Sequence, residues 1–260
     1  MGLPALGISG IAWATVMIQM GSSIFMFSMV VRRGLLNLQS WRVLLPRWRV
    51  YLEIAQQALP ASFNIMSVAL GFFATTYFLN FYDEATVASF GVTTRIEQIG
   101  LLPTFGLYAA IMALVGQNNG AGNMDRIRET MRTCNRIGLT LNGTTSLLIF
   151  IFARPLMSVF TSDIKVIDIG VDCLRIIMLM QWSYVMTSTH LAMLQAIKRP
   201  NYGFFESILR KVLLPLPFFW LFVFNFEYDV RWVWYSIAGT NVLMTIITMI
   251  YAQFVLRRLK

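Results

Sequence analysis

Two ionisable side chains, Arg95 and Glu97, lie inside an apolar run that extends over residues 88–116. The run is long enough to cross a lipid bilayer, and at about 1.5 Å per residue Glu97 lies roughly 14 Å from its start, close to the midplane. An unpaired charge at that depth costs at least about 2.5–3 kcal/mol, and such residues commonly mark functional sites. The chemistry open to a carboxylate there is to bind a cation or to exchange a proton.

Glu97 has two interpretations that the sequence leaves open. It is either a cation or proton site facing a cleft, or one half of a structural Arg–Glu bridge to another helix. Arg95 is a poor partner, because residues two apart on a helix point about 200° away from each other. Arg95 is also shallower and long enough to reach the interface. Pro103, six residues after Glu97, removes a backbone hydrogen bond and predicts a kink that serves either gating or a static bend.

Four further polar residues are candidates for lining a substrate cleft. Asn64 and Ser67 belong to the second apolar run, and Gln181 and Tyr184 to the fifth. The members of each pair are three residues apart, which places them on one face of a helix. Contacts between helices are the alternative interpretation for Asn64 and Ser67.

Seven apolar runs must position these side chains. The chain has 260 residues, 57% hydrophobic and 13% charged, whereas soluble domains carry about a quarter charged residues. We therefore predict an all-α integral membrane protein, a polytopic helix bundle of about seven transmembrane helices. The runs cover residues 5–31, 55–80, 88–116, 134–153, 166–197, 208–226 and 232–256. The fifth is long enough to be tilted or broken.

The net charge of +9 is a topology signal. Most of the 21 Lys and Arg residues fall, in a seven-helix count, on one side of the membrane; they include Arg32, Arg33, Arg126, Arg128, Lys198, Arg199, Arg210, Lys211, Arg257 and Arg258. The positive-inside rule makes that side, and the C-terminus, cytoplasmic. Anionic lipids at the cytoplasmic face are the expected electrostatic partner. Nucleic acid is not, because the basic residues lie in short loops next to the membrane.

One loop is more specific than the rest. Residues 115–123 read VGQNNGAGN and end the third run. Gly116, Gln117, Gly120 and Gly122 predict a structural or gating turn, since glycine adopts the positive φ that commonly ends a helix.

This loop resembles the VGQ-x-x-GAG loop of the multidrug and toxic compound extrusion (MATE) family. The resemblance extends to Arg95-Ile96-Glu97-Gln98 before it and to Leu194-Gln195-Ala196-Ile197-Lys198-Arg199-Pro200 after it. It covers nearly the whole chain. It implies that residues 1–31 are the last helix of an N-terminal lobe that is otherwise missing, and that residues 55–260 are the C-terminal six-helix transport lobe. Residues 32–54 mix Arg with Trp, Leu and Val and are expected to form a cytoplasmic amphipathic linker.

The resemblance also implies a function. Such transporters exchange Na⁺ or H⁺ for amphipathic, often cationic, drugs across a cleft between two lobes. The expected location is the bacterial inner membrane. No enzymatic activity is expected, because the sequence shows no paired carboxylates and no nucleophile–base constellation. Its single histidine and two cysteines have no metal-ligand spacing, so no cofactor or metal is expected other than the coupling ion. The sequence departs from one branch of the family, because the matching regions around Asn64 and Tyr184 hold no carboxylate.

Two alternatives stay open. A lipid-linked sugar flippase of the same broad fold group needs a strongly cationic cavity, whereas Arg95 and Arg175 are the intramembrane cations that the sequence predicts. A seven-helix receptor fits the helix count but leaves the glycine loop unexplained.

Overall fold

The computed structural model describes residues 7–34, 48–225 and 229–258. The described chain is helical and contains no strand. The α-helices are α1 Gly7–Arg32, α2 Trp48–Leu79, α3 Glu84–Gly120, α4 Met124–Ile151, α5 Ala153–Phe160, α6 Ile164–Leu179, α7 Gln181–Ala196, α8 Asn201–Ile208, α9 Pro215–Trp220 and α10 Arg231–Arg258. Two π-helical segments, Leu209–Leu213 and Leu221–Asn225, follow α8 and α9.

The chain divides into two compact units, Met1–Leu52 and Glu53–Lys260. The division falls next to the boundary that we predicted after residue 54. Most of the predicted linker, residues 35–47, lies outside the described part of the chain. The assignment of the two units to an N-terminal and a C-terminal lobe stays a prediction.

The prediction of an all-α integral membrane bundle is confirmed. Five helical segments in the described residues are long and apolar enough to cross a membrane, and a sixth is formed if α4 and α5 make one span. The axes of α4 and α5 differ by 73°. The five are Ala12–Arg32, Trp48–Leu79, Glu84–Gly120, Asn201–Asn225 and Arg231–Arg258.

The predicted fifth run is broken into two helices, one of the two possibilities that its length had left open. Helices α6 and α7 have 16 residues each and meet at Met180. At about 1.5 Å per residue each spans roughly 24 Å, less than the thickness of a bilayer core. Helix α7 also carries buried polar residues, among them Ser183, Thr187 and Thr189. It can do so because the neighbouring helices α3, α4 and α10 surround it.

The predicted sixth run begins earlier than expected, and this corrects the charge count. Residues 201–225 form one continuous helical segment, in which Arg210 and Lys211 lie at about the tenth position. Both residues are therefore roughly 14 Å inside the span, not in a cytoplasmic loop. The positive-inside argument therefore rests on the other basic residues and no longer on these two.

The apolar core of the larger unit consists of two clusters separated along the bundle. One cluster contains Phe78, Phe90 and Trp234, and the other contains Ile111 and Met193. Buried hydroxyl and amide groups occur between the two, so the centre of the bundle is more polar than either end. This centre is where the sequence placed its candidate site.

Candidate functional site

A cavity of about 970 Å³ opens within the larger unit. Its wall is formed by α2, α3, the junction of α6 and α7, the α8–α9 segment and α10. Most of the surface is apolar or aromatic, and Phe72, Phe90, Phe105, Tyr108 and Phe219 contribute rings to it. The charged residues of the lining are Glu97, Arg199, Arg210 and Lys211. A largely apolar pocket with a few convergent polar groups is typical of a small-molecule site.

Glu97 lies on this wall and is half-buried. No hydrogen bond or salt bridge to Glu97 occurs among the described residues. Lys211 and Arg210 nevertheless lie close enough to act electrostatically on its carboxylate. The structure thus places Glu97 in a cavity rather than in an Arg–Glu bridge. Its role in ion coupling stays a prediction.

Arg95 lies elsewhere, as the helical spacing predicts. Its side chain is exposed on the surface of the unit and is not part of the cavity lining. The structure describes both Arg95 and Glu97 and shows no salt bridge between them. They are therefore independent charges on different faces of α3.

A buried ion pair braces the cavity next to Glu97. The Nε of Arg210 donates to the Oε1 of Glu206 at 2.5 Å, and its Nη1 donates to the Oδ1 of Asn241 at 3.0 Å. Both partners of the ion pair are buried. Sequence reasoning missed Glu206 altogether. The available signal was its spacing four residues before Arg210 in an otherwise apolar run, which suits a helical ion pair.

Lys211 presents a second cation to the same cavity. Its Nζ donates to the hydroxyl of Tyr184 at 2.9 Å and lies 4.8 Å from the centre of the Tyr184 ring. The guanidinium of Arg210 lies 5.4 Å from the same ring. Tyr184, a predicted cleft residue, is therefore part of the cavity wall and positions a cation there.

The other three predicted cleft residues are placed differently. Asn64 lines the cavity, and its Nδ2 donates to the carbonyl of Gly203 at 2.9 Å, which ties α2 to α8. Ser67 is buried, donates to the carbonyl of Phe63 at 2.8 Å and is not part of the lining. Gln181 is also buried away from the cavity, and its amide has no hydrogen-bond partner among the described residues.

The helix around Pro103 is continuous and braced from α4. Helix α3 runs through Pro103 without a break in its assignment. Beside it, the Nδ2 of Asn142 donates to the hydroxyl of Thr104 at 2.8 Å and lies 3.4 Å from the carbonyl of Gly100. These contacts hold α4 against the turn of α3 that contains Pro103. Whether this turn moves during transport stays a prediction.

The glycine loop is a helix C-terminal turn. Gly122 has φ +71°. The Asn123 N–H donates to the Asn118 carbonyl at 2.9 Å, and the Gly122 N–H donates to the Asn119 carbonyl at 3.3 Å. This pair of bonds is the Schellman motif.

The other three loop residues lie before the turn. Gly116, Gln117 and Gly120 are the last helical residues of α3. A Cβ atom on either of the two glycines would meet nothing within 4 Å. Packing within the unit therefore does not require a glycine at either position, and their predicted gating role is untested.

Comparisons with known proteins agree on one family. The MatE family profile matches residues 60–221. A probable multidrug resistance protein NorM of Thermotoga maritima is 27% identical, with the match covering 72% of this chain and 40% of that protein. An FAD transporter of Shewanella oneidensis is 25% identical over 82% of this chain and 47% of its own length. The chain thus spans less than half of these relatives.

Solved structures show the same fold. One is a MOP superfamily transporter from Pyrococcus furiosus, described as having a binding pocket of reversed polarity. The match covers 98% of this chain and 57% of the Pyrococcus furiosus chain. The TM-score is 0.87 at 20% sequence identity. This likeness shows the fold, and the profile match over more than half of the sequence shows the family: the chain belongs to the MATE family of membrane transporters.

Proposed function

We propose that the chain forms one lobe of an exporter that moves amphipathic, positively charged drugs or metabolites across the membrane in exchange for H⁺ or Na⁺. The observation that carries the proposal is the aromatic cavity with Glu97 on its wall. The rings supply an apolar surface for the body of the substrate. Among the described cavity residues, Glu97 is the one carboxylate available to a cation.

Competition at Glu97 explains the exchange. A proton or a Na⁺ ion on the carboxylate removes its attraction for a cationic substrate, so the ion and the substrate exclude each other. A transporter that changes between its two faces with either the ion or the substrate bound, but not with both, is an antiporter. The names of the relatives, a probable multidrug resistance protein and an FAD transporter, support a small-molecule substrate.

A second lobe is part of the proposal. The matched relatives are more than twice as long as the region they share with this chain, which covers 40% and 47% of their lengths. We expect another six-helix lobe to face this one across the transport cleft, with the C-terminus of this chain on the cytoplasmic side of a bacterial inner membrane. Anionic lipids are the expected partners of the basic cytoplasmic residues.

Transport by everted membrane vesicles tests the proposal. Vesicles containing the protein should accumulate tetraphenylphosphonium when an H⁺ or Na⁺ gradient is imposed, and Glu97→Gln should abolish this uptake. Glu129→Gln is the matched control, because Glu129 is an exposed carboxylate of α4 outside the cavity. Gradient-driven uptake that survives Glu97→Gln would contradict the assigned role.

One observation supports the alternative that the protein is a flippase. Arg199, Arg210 and Lys211 all line the cavity, whereas the sequence had suggested Arg95 and Arg175 as the intramembrane cations. Three cations favour a phosphate ligand, although Glu206 already neutralises Arg210. Displacement of tetraphenylphosphonium from the protein by a polyprenyl diphosphate would support a flippase. Family membership gives no support to the receptor alternative.

A further inference from the structure

The cavity carries two opposite charges that form no salt bridge with each other. Glu97 and Lys211 both line it, and Lys211 acts electrostatically on the Glu97 carboxylate. No salt bridge joins them among the described residues, so the charged atoms of Glu97 and Lys211 occupy separate positions on the cavity wall. A ligand can therefore contact both at once.

Arg210 does not play the same part as Lys211. Its guanidinium is buried, its charge is paired with Glu206, and it also donates to Asn241. The ammonium of Lys211 has no carboxylate partner among the described residues; it donates to the neutral hydroxyl of Tyr184. An ammonium has three donors, so Lys211 keeps hydrogen-bonding capacity for a ligand.

The backbone holds Lys211 in place. Gly71 of α2 lies so close that a Cβ atom there would be 2.8 Å from the Lys211 carbonyl oxygen. Lys211 also belongs to the π-helical segment Leu209–Leu213, and such segments occur frequently at functional sites. The charge is therefore presented from a fixed position rather than from a mobile loop.

We propose that the substrate is an amphipathic zwitterion, whose cationic group faces Glu97 and whose carboxylate or other anionic group binds Lys211. This inference rests on the proposed function and adds a specificity-determining residue to it. The aromatic rings of the cavity, among them Phe72 and Phe105, take the planar body between the two charges. Lys211 then selects zwitterions over simple cations of the same shape.

Three dyes with one xanthene scaffold test this selection. Rhodamine 110 carries a cationic xanthene and a free carboxylate, rhodamine 123 is its methyl ester and a cation, and fluorescein is an anion. Binding of each to the purified full chain in nanodiscs is measured by fluorescence polarisation. We expect rhodamine 110 to bind most tightly, by about tenfold over rhodamine 123, because a hydrogen bond to a charged group is worth that much.

Substitutions separate the two charges. Lys211→Gln should remove the preference for rhodamine 110, because it weakens rhodamine 110 and relieves the repulsion that Lys211 exerts on the cation rhodamine 123. Lys211→Arg should keep the preference and so exclude a folding defect. Glu97→Gln should weaken both rhodamines. Arg95→Gln is the control, because Arg95 is a cation of the same helix bundle outside the cavity.

The outcomes distinguish the two proposals. If rhodamine 123 binds at least as tightly as rhodamine 110, or if Lys211→Gln leaves the preference intact, the zwitterion inference is wrong and the transport proposal stands. Tightest binding of fluorescein also overturns the inference, in favour of a net anionic substrate. If none of the dyes binds, the proposed function itself loses its support.

Discussion

Gly71 of α2 packs closely against the backbone of Lys211, in the broken helix that carries the cations. A Cβ atom at position 71 would lie 2.8 Å from the Lys211 carbonyl oxygen and 3.0 Å from its Cβ. Neither atom can move without shifting the backbone of the π-helical segment. The contact therefore couples the packing of α2 to the position of a charge in the cavity.

Replacing this glycine should destabilise the fold. We expect Gly71→Ala to lower the free energy of unfolding by about 1–3 kcal/mol, the usual cost of overpacking, and to weaken rhodamine binding. Gly116→Ala is the matched control: its Cβ meets open space, and replacing a helical glycine should stabilise by about 0.5–1 kcal/mol. Thermal unfolding in detergent measures both. Equal effects of the two substitutions would show that α2 does not pack as described.

Breaking the buried ion pair should cost more than breaking an exposed one. Glu206→Gln leaves the Arg210 charge buried without its carboxylate partner, so we expect a loss of about 3–5 kcal/mol. In the exposed pair of Arg126 and Glu129, Glu129→Gln should cost at most about 1 kcal/mol. Chemical unfolding of the three proteins gives the comparison. A small effect at Glu206 would mean that water reaches the pair.

The stability that Asp83 contributes in the loop between α2 and α3 should decrease at acidic pH. The hydrogen bond from the Lys165 side chain and those from Thr86 lower the pKa of Asp83 from 3.8 to about 2. A carboxylate whose pKa is lower in the folded state stabilises fully above its unfolded pKa, and this stability is lost as the pH falls through the folded value. The difference in unfolding temperature between wild type and Asp83→Asn should therefore be constant above about pH 5 and vanish towards about pH 2. A difference that persists at pH 2 would contradict the assignment.

Substitutions in the glycine loop separate conformation from gating. Gly122→Ala forces alanine into a left-handed conformation and should destabilise by about 1 kcal/mol. Gly120→Ala should not destabilise, because Gly120 ends a helix beside open space. If transport falls with Gly120→Ala while stability is kept, the predicted gating role gains support. Loss of stability in both variants would point to packing that the larger unit alone does not explain.

The lengths of the helices were predictable from the sequence, whereas the position of Arg210 and Lys211 inside the bundle was not. Apolar runs of about 20 residues located most spans, and the depth of Glu97 along α3 placed it at the cavity. Arg210 and Lys211 were assigned to the cytoplasmic side of the membrane because positive residues usually flank a span. Their true place depends on Glu206 and Asn241, which neutralise and bind Arg210. Asn241 is 31 residues from Arg210 and leaves no local pattern, whereas the spacing of Glu206, four residues before Arg210, was the available signal.

Binding competition at Glu97 tests the central claim most directly. Tetraphenylphosphonium is a permanent cation, so its charge does not change with pH. The account predicts that its dissociation constant, measured by equilibrium dialysis, rises at least about tenfold with added H⁺ or Na⁺, the size of a typical coupling between sites. In Glu97→Gln the dissociation constant should be insensitive to both ions. Binding that is independent of H⁺ and Na⁺ in the wild type, or equally dependent in Glu97→Gln, would contradict an exchange at this carboxylate.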